Sequence, residues 1–411
     1  MSNRQTVLIP DFGAHSLLTA RRVRALGVYC EVCPPEAAEE RAGEAAGIIL
    51  GDPSRLPAER FGIPALSFPP EAACAGNAEA VLRGFLRETC GCAGDWRMDE
   101  AHIERMTEDI RAQAGGHPVV LGLSGGVDSS VLAALLSRAV GRRLTCIFVD
   151  HGLMRLREGD EIEAAFAGRE LQFKRVDAAE RFLARLAGVT DPERKRKIIG
   201  EEFIRVFEEE TRKLGFRAML SQGTIYPDII ESGRDGANMI KSHHNVGGLP
   251  EDMDFLGLIE PLRELFKDEV RALGAALALP DRLVRRQPFP GPGLAVRVLG
   301  EVTAEKLDIL RPADHIFREE IEKAGLDRGL QQFFAVLTGL RTVGVQDGAR
   351  TYGYTLALRA VHTTDFMTAA FARVPYDVLD TVSRRITDEV PQIGRVVYDV
   401  TSKPPGTIEW E

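Results

Sequence analysis

The stretch Ser124-Gly125-Gly126-Val127-Asp128-Ser129-Ser130 constrains this chain more than any other. It follows an apolar run, Val119-Val120-Leu121-Gly122-Leu123, of the kind that forms a buried parallel strand. It precedes Val131-Leu132-Ala133-Ala134-Leu135-Leu136, which reads as a helix. The order is therefore strand, Gly-rich turn, helix start. Two adjacent glycines let the backbone turn tightly and leave no side chain over the turn. The turn amides and the unpaired N–H groups of the first helical turn converge on one spot, which favours an anion, most often a phosphate. Ser124, Ser129 and Ser130 add hydroxyl donors. Asp128 is an odd neighbour for a phosphate unless a divalent cation sits between them. A lone Gly-Gly would suit a plain turn capped by Ser or Asp. Seven such residues in this context favour the phosphate reading.

The stretch is not a Walker A loop, because the Gly-Lys-Ser/Thr ending is missing. Nor is it a dinucleotide fingerprint, because the G-x-G-x-x-G spacing is missing. It resembles the pyrophosphate loop of the ATP pyrophosphatases, which cleave ATP between the α and β phosphates and adenylate an oxygen of their substrate. The next predicted strand, Leu144 to Val149, delivers Asp150-His151-Gly152 at its carboxyl end, the ligand-bearing edge of an open parallel sheet. In the resembled family this edge, Val149 and Asp150 here, meets the adenosine. Loop capping accounts nearly as well for His151 alone. Predicted strands at Phe173 to Val176 and Ala218 to Ser221 alternate with helices at Glu158 to Glu170 and Ile198 to Leu214. This βαβ spacing predicts an α/β fold with a doubly wound parallel sheet.

With 411 residues and 44% apolar content, the chain can build two or three cored domains. A net charge of −9 argues against a general nucleic-acid binder, and no apolar run is long enough for a membrane span. The polar Met1 to Gln5 leads straight into a strand, so no signal peptide is expected. Six cysteines spread over an acidic chain fit a reducing cytoplasm. For Cys30-x-x-Cys33 and Cys90-x-Cys92, packing is a simpler reading than zinc, because the second spacing is short.

Residues 1–92 read as a small α/β lobe, with strands at Thr6 to Pro10, Val28 to Val32, Gly47 to Leu50 and Ile63 to Phe68. Arg21, Arg22 and Arg24 on its first helix read as a solvated face. Asp11-Phe12-Gly13, Leu26-Gly27-Val28-Tyr29-Cys30-Glu31 and Gly62-Ile63-Pro64-Ala65-Leu66 resemble the glutamine amidotransferase domain of the GMP synthetase family. That family then carries Gly-Ile-Cys-Tyr-Gly, whereas this chain has Ser67-Phe68-Pro69-Pro70-Glu71, with Pro69 in the place of the thiol. Proline offers no nucleophile. The His- and Glu-bearing second half of a glutaminase is also missing, and Cys74, with no Gly-rich elbow, reads as structural. The lobe is expected to be vestigial and inactive.

From Trp96 onward the resemblance is continuous. Gly233 to Pro250 carries Lys241-Ser242-His243-His244-Asn245-Val246-Gly247-Gly248, the run of that family's active-site lid. Three prolines and two glycines in Gln287-Pro288-Phe289-Pro290-Gly291-Pro292-Gly293 mark a boundary. It separates an ATP pyrophosphatase domain at 93–290 from an α+β domain at 291–411, which in that family carries the dimer contacts. The tail Lys403-Pro404-Pro405-Gly406-Thr407-Ile408-Glu409-Trp410-Glu411 resembles the segment that folds back to hold the purine nucleotide. The resemblance implies amination of XMP to GMP with ATP and ammonia as co-substrates. Ser124 to Ser130 would hold the pyrophosphate, with Asp128 (Mg2+), Ser129 and Lys241 catalytic. Arg297, Lys403, Ile408 and Glu409 would serve XMP. Without a glutaminase, nitrogen would come from free ammonia or from a separate glutaminase subunit. Two other classes fit less well. A tRNA-thiolating or NAD-forming adenylating enzyme is one, but the thiolating kind needs a cysteine pair and a basic face. A nucleotide-binding regulator is the other, but it has no need of a closing lysine.

Overall fold

The computed structural model describes residues 5–234, 255–346, 348–363 and 366–411. Lys241 and most of the expected lid lie outside these residues. The described parts form two units.

The first unit comprises Met1–Met106, Thr224–Met239 and Pro261–Ala276. Its strands β1 (Val7–Pro10), β2 (Cys30–Cys33), β3 (Gly47–Leu50) and β4 (Ala65–Ser67) form a parallel sheet in the order β2-β1-β3-β4. Both β1 and β3 are buried throughout, as continuous apolar runs in a covered parallel sheet must be. The Ala14–Ala25 helix corrects one expectation. Arg21 and Arg22 are exposed, but Arg24 is buried. Its guanidinium lies over Tyr29 and Trp96, at 4.3 and 4.6 Å from the ring centroids, and pairs with Glu269 at 3.3 Å. An aromatic box gathered from Tyr29, Trp96, Tyr226 and Phe266 replaces its water.

The second unit comprises Thr107–Gly223, Ile240–Glu260 and Leu277–Glu411. Strands β5 (Val119–Leu123), β6 (Leu144–Asp150), β7 (Gln172–Asp177), β8 (Met219–Ser221) and β9 (Gly257–Ile259) form a parallel sheet in the order β7-β6-β5-β8-β9. The chain starts at the centre, runs out to one edge, and returns to place β8 beside β5. A reversal of this kind opens a crevice at the carboxyl ends of the two strands. Beyond it, β10 (Gln332–Gln346) and β11 (Ala349–His362) pair antiparallel. The far edge of β11 is shared by β12 (Ala370–Phe371, antiparallel) and β13 (Ile393–Tyr398, parallel). The sequence suggests two helices here, Glu305 to Ile309 and Asp314 to Ala324, but the chain forms one continuous helix, Ala304–Lys323, capped by Thr303. Its stripe of Leu307, Leu310, Ala313, Phe317 and Ile321 carries it through Pro312. One apolar core joins both sheets of this unit, running from Val120 and Ile147 through Leu294 and Phe317 to Leu356.

Candidate functional site

At the end of β5 the chain turns over 124–126 into the Val127–Val140 helix. Gly125 sits at φ +76°, and a Cβ there would lie 2.3 Å from Ile162 Cδ1. Only glycine serves at this position. Gly126 is the N-cap and no side chain caps the helix, so the helix begins inside the motif. Val127, Asp128, Ser129 and Ser130 form its first turn, whose N–H groups carry the positive end of the helix dipole. Ser124 Oγ and Ser129 Oγ are 3.0 Å apart, and Ser129 Oγ donates to the Gly126 carbonyl at 3.2 Å. Ser130 is buried, with no hydrogen-bond partner for its Oγ. The Gly125 carbonyl, an acceptor that would oppose an anion, takes a hydrogen bond from Arg286 Nη1 at 2.7 Å. Arg286 also pairs with Glu158. Burial, with Arg318 and Arg297 nearby, pushes the Arg286 guanidinium down to about 10, so it stays charged at neutral pH.

Gly223, just past β8, lies against the same turn: a Cβ there would be 3.7 Å from Asp128 Cβ. The loop and Gly223 thus wall the crevice between β5 and β8. The donors here are one carboxylate and three hydroxyls, all hard oxygens. Among the described residues no group of three or more His, Cys, Asp or Glu side chains is arranged to hold a metal ion. That donor set fits Mg2+, which keeps its waters and binds through one or two carboxylates plus substrate phosphates.

Val149 is buried in β6. The Asp150 carboxylate is held by Arg175 Nη2 at 2.7 Å and accepts the Gly152 N–H at 3.2 Å. His151 is buried, its Nδ1 accepts the Leu153 N–H at 3.0 Å, and burial holds the ring down to about 4. A neutral, backbone-bonded imidazole is a turn-forming residue here.

The tail is packed, not frayed. Ile408 is buried against Phe334, Val336, Ala357 and Val361. Arg297, wholly buried, grips Glu409 through Nε at 3.1 Å and Nη2 at 2.8 Å, and lies 4.0 Å from the Phe334 centroid. Lys403 pairs with Ala369 through its backbone, and its Nζ donates to the Phe366 carbonyl at 2.7 Å. Arg297, Ile408 and Glu409 are therefore brought together. Sequence reasoning missed Arg359, a fully buried arginine that donates to the Thr407 carbonyl at 2.9 Å. A lone cation inside the apolar run 355–360 was its visible signal. It also missed Phe289, whose ring touches both ends of the site. The Arg286 guanidinium lies 5.6 Å from its centroid and the Arg297 guanidinium 5.2 Å. The contacts run from Gly125 through Arg286, Phe289 and Arg297 to Glu409, joining loop and tail within one unit.

In the first unit, β4 ends at Ser67 and the chain enters the Pro70–Cys74 helix through buried Phe68 and Pro69. Pro69 occupies the strand-to-helix turn. Cys74 lies exposed at the helix end.

A parallel doubly wound sheet with a glycine cradle at its switch point defines an α/β nucleotide-phosphate-binding protein of the pyrophosphate-loop class. Residues 100–166, which include the cradle, match the family model described as NAD synthase, and residues 319–410 match that described as GMP synthase C terminal domain. A relative from Finegoldia magna named GMP synthase [glutamine-hydrolyzing] is 62% identical over 347 residues, covering 84% of this chain and 68% of the relative. One of the same name from Acetivibrio thermocellus is 61% identical, with the same coverage. Among solved structures, an NMN synthetase from Francisella tularensis aligns over 51% of this chain and 84% of its own at 14% identity, with a TM-score of 0.37. The chain belongs to the GMP synthase family.

Proposed function

We propose that the chain aminates XMP to GMP with ATP, releasing AMP and pyrophosphate, and that it takes ammonia and does not hydrolyse glutamine. The XMP C2 carbonyl oxygen attacks the α-phosphorus of ATP, and the bond to the bridging oxygen of pyrophosphate breaks. Ammonia then adds at C2 of the adenylated purine and loses protons, and AMP leaves with the former carbonyl oxygen. The amides of 124–126 and of the first helical turn receive the β and γ phosphates as the leaving pyrophosphate. Ser124, Ser129 and Ser130 add hydroxyl donors there. Asp128 and the substrate phosphates would hold Mg2+, which when bound offsets the charge of the leaving group. Lys241 is assigned to the same charge. Val149 and Asp150 border the adenosine, Lys403 meets the XMP phosphate, and Ile408 and Glu409 meet the purine, with Glu409 accepting from its N–H groups. Residues 93–290 carry the adenylating half and 291–411 the XMP-binding and dimer-forming half.

The observation that carries this reading is the contact path from the phosphate cradle to the tail. An adenylating enzyme needs nucleotide and acceptor sites held in one rigid frame. The nitrogen source rests on Pro69 at the turn where a glutaminase needs its thiol. A separate glutaminase subunit is the second route for ammonia. An open cavity of about 800 Å3 in the first unit, lined by Arg22, Arg83 and Arg97 among others, is a surface on which it would dock. The test is AMP and pyrophosphate release in the presence of ammonium. Release that needs XMP supports the reading, and an Asp128→Asn chain should lose about 100-fold or more of it. Release without XMP, or ATP binding without turnover, would place the chain among other adenylating enzymes or among regulators.

A further inference from the structure

Two charged residues outside the site so far described meet beneath the tail. Lys195, on the Pro192–Arg212 helix, has a wholly buried side chain. Its Nζ donates to the Val298 carbonyl at 2.8 Å, to the Ala295 carbonyl at 3.3 Å, and to a carboxylate oxygen of Glu411. These three acceptors match the three donors of an ammonium. The other Glu411 oxygen accepts the Gly300 N–H at 3.0 Å. Ala295 and Val298 bracket Arg297, the residue that grips Glu409. One ammonium therefore fixes both the turn that carries Arg297 and the chain just beyond Glu409. On the other side of Ile408, Arg359 holds the Thr407 carbonyl at 2.9 Å and pairs with Asp399 at 3.2 Å. Asp399 in turn accepts the Trp410 indole N–H at 3.0 Å.

We propose that Lys195 and Glu411 form a positioning pair that seats Ile408 and Glu409 for the purine, so that affinity for XMP, and not for ATP, depends on a carboxylate that touches neither. The inference rests on the assignment of the tail to XMP. Hydrogen bonds to a purine edge discriminate only when their acceptor is held to a fraction of an ångström, and Glu409 is held from Arg297 on one side and through Glu411 on the other. Burial pushes the Lys195 ammonium down and Glu411 acts against it, so a neutral residue at 411 leaves a buried cation facing only carbonyls.

The test uses Glu411→Gln, and a chain carrying both Lys195→Met and Glu411→Leu. Glu411→Gln should raise KM for XMP about 10-fold or more, the effect of losing one charge-assisted hydrogen bond, and leave KM for ATP within about twofold. The double variant removes the buried charge, so it should recover thermal stability yet keep the high KM for XMP, because the directional bonds are gone. Acrylamide quenching gives a readout without turnover. Trp96 is buried, so quenchable emission comes from Trp410, and it should rise in Glu411→Gln with no substrate present. An unchanged KM for XMP, equal rises for XMP and ATP, recovery of KM together with stability in the double variant, or unchanged quenching would each overturn the proposal. A wild-type chain that forms no GMP overturns the XMP assignment and the substrate half of this inference with it. The quenching arm still decides whether the pair seats the tail.

Discussion

Gly125 and His151 show how single residues set the cradle and its sheet edge. Gly125→Ala would force a Cβ into Ile162 at a left-handed φ. The strain is on the order of 1–2 kcal/mol before any shift of the loop. The expected result is a loss of ATP affinity of about 10-fold or more by calorimetry, with the far-UV spectrum unchanged. His151 predicts a pH effect. The folded ring refuses a proton until about pH 4, whereas an unfolded one takes it near 6.5. Stability from the neutral ring is therefore complete above pH 6.5 and lost as pH falls toward 4. Asn in its place keeps an acceptor for the Leu153 N–H and removes the titration. Unfolding free energy in His151→Asn should fall by about 2 kcal/mol less between pH 6.5 and 4.5 than in the wild-type chain. Parallel slopes in the two chains would contradict the assignment.

Among elements, the β10–β11 hairpin is the one whose sequence and exposure disagree. Leu340, Val343, Val345 and Tyr352 stand exposed on it, in an antiparallel pair that continues to Gln346 and Ala349. Exposed apolar side chains on a hairpin suit the proposed homodimer. Val345→Asp with Tyr352→Asp should shift the sedimenting species from dimer to monomer; a wild-type chain already monomeric at micromolar concentration would remove this role. The hairpin was only partly legible in advance. Its apolar runs at 341–345 and 355–360 were visible, but their pairing was not, because nothing local sets the register across the break between Leu337 and Arg341. The cradle was legible because apolar run, glycines and helix are contiguous. The buried Arg24 was not, since its aromatic box comes from residues as distant as Tyr226 and Phe266. Helices Ala179–Leu186 and Tyr376–Glu389 also went unseen. Each carries an apolar stripe at helical spacing, Phe182, Leu183 and Leu186 in the first and Val378, Leu379, Val382 and Ile386 in the second, so the signal stood in the sequence. The tail's composition was legible and Arg297 was reached through the family resemblance, but the tail's other buried partners, Lys195 and Arg359, lie far away in the chain and carry no local signal of the pairing.

At the scale of the whole molecule, the phosphate cradle and the packed tail belong to one unit, joined through Arg286, Phe289 and Arg297, and in the other unit Pro69 occupies a strand-to-helix turn. No described helix is long and apolar enough to cross a membrane. Cys30 and Cys33 are buried thiols pushed up to about 11, so neither supplies a substitute nucleophile at neutral pH. Cys74 is exposed, at the end of its own short helix. The measurement that tests this most directly is GMP formation by the purified chain given ATP, Mg2+ and XMP, with ammonium in one reaction and glutamine in the other. GMP is expected with ammonium and none with glutamine. GMP formed from glutamine by this chain alone would contradict it and reassign the lobe as a working glutaminase.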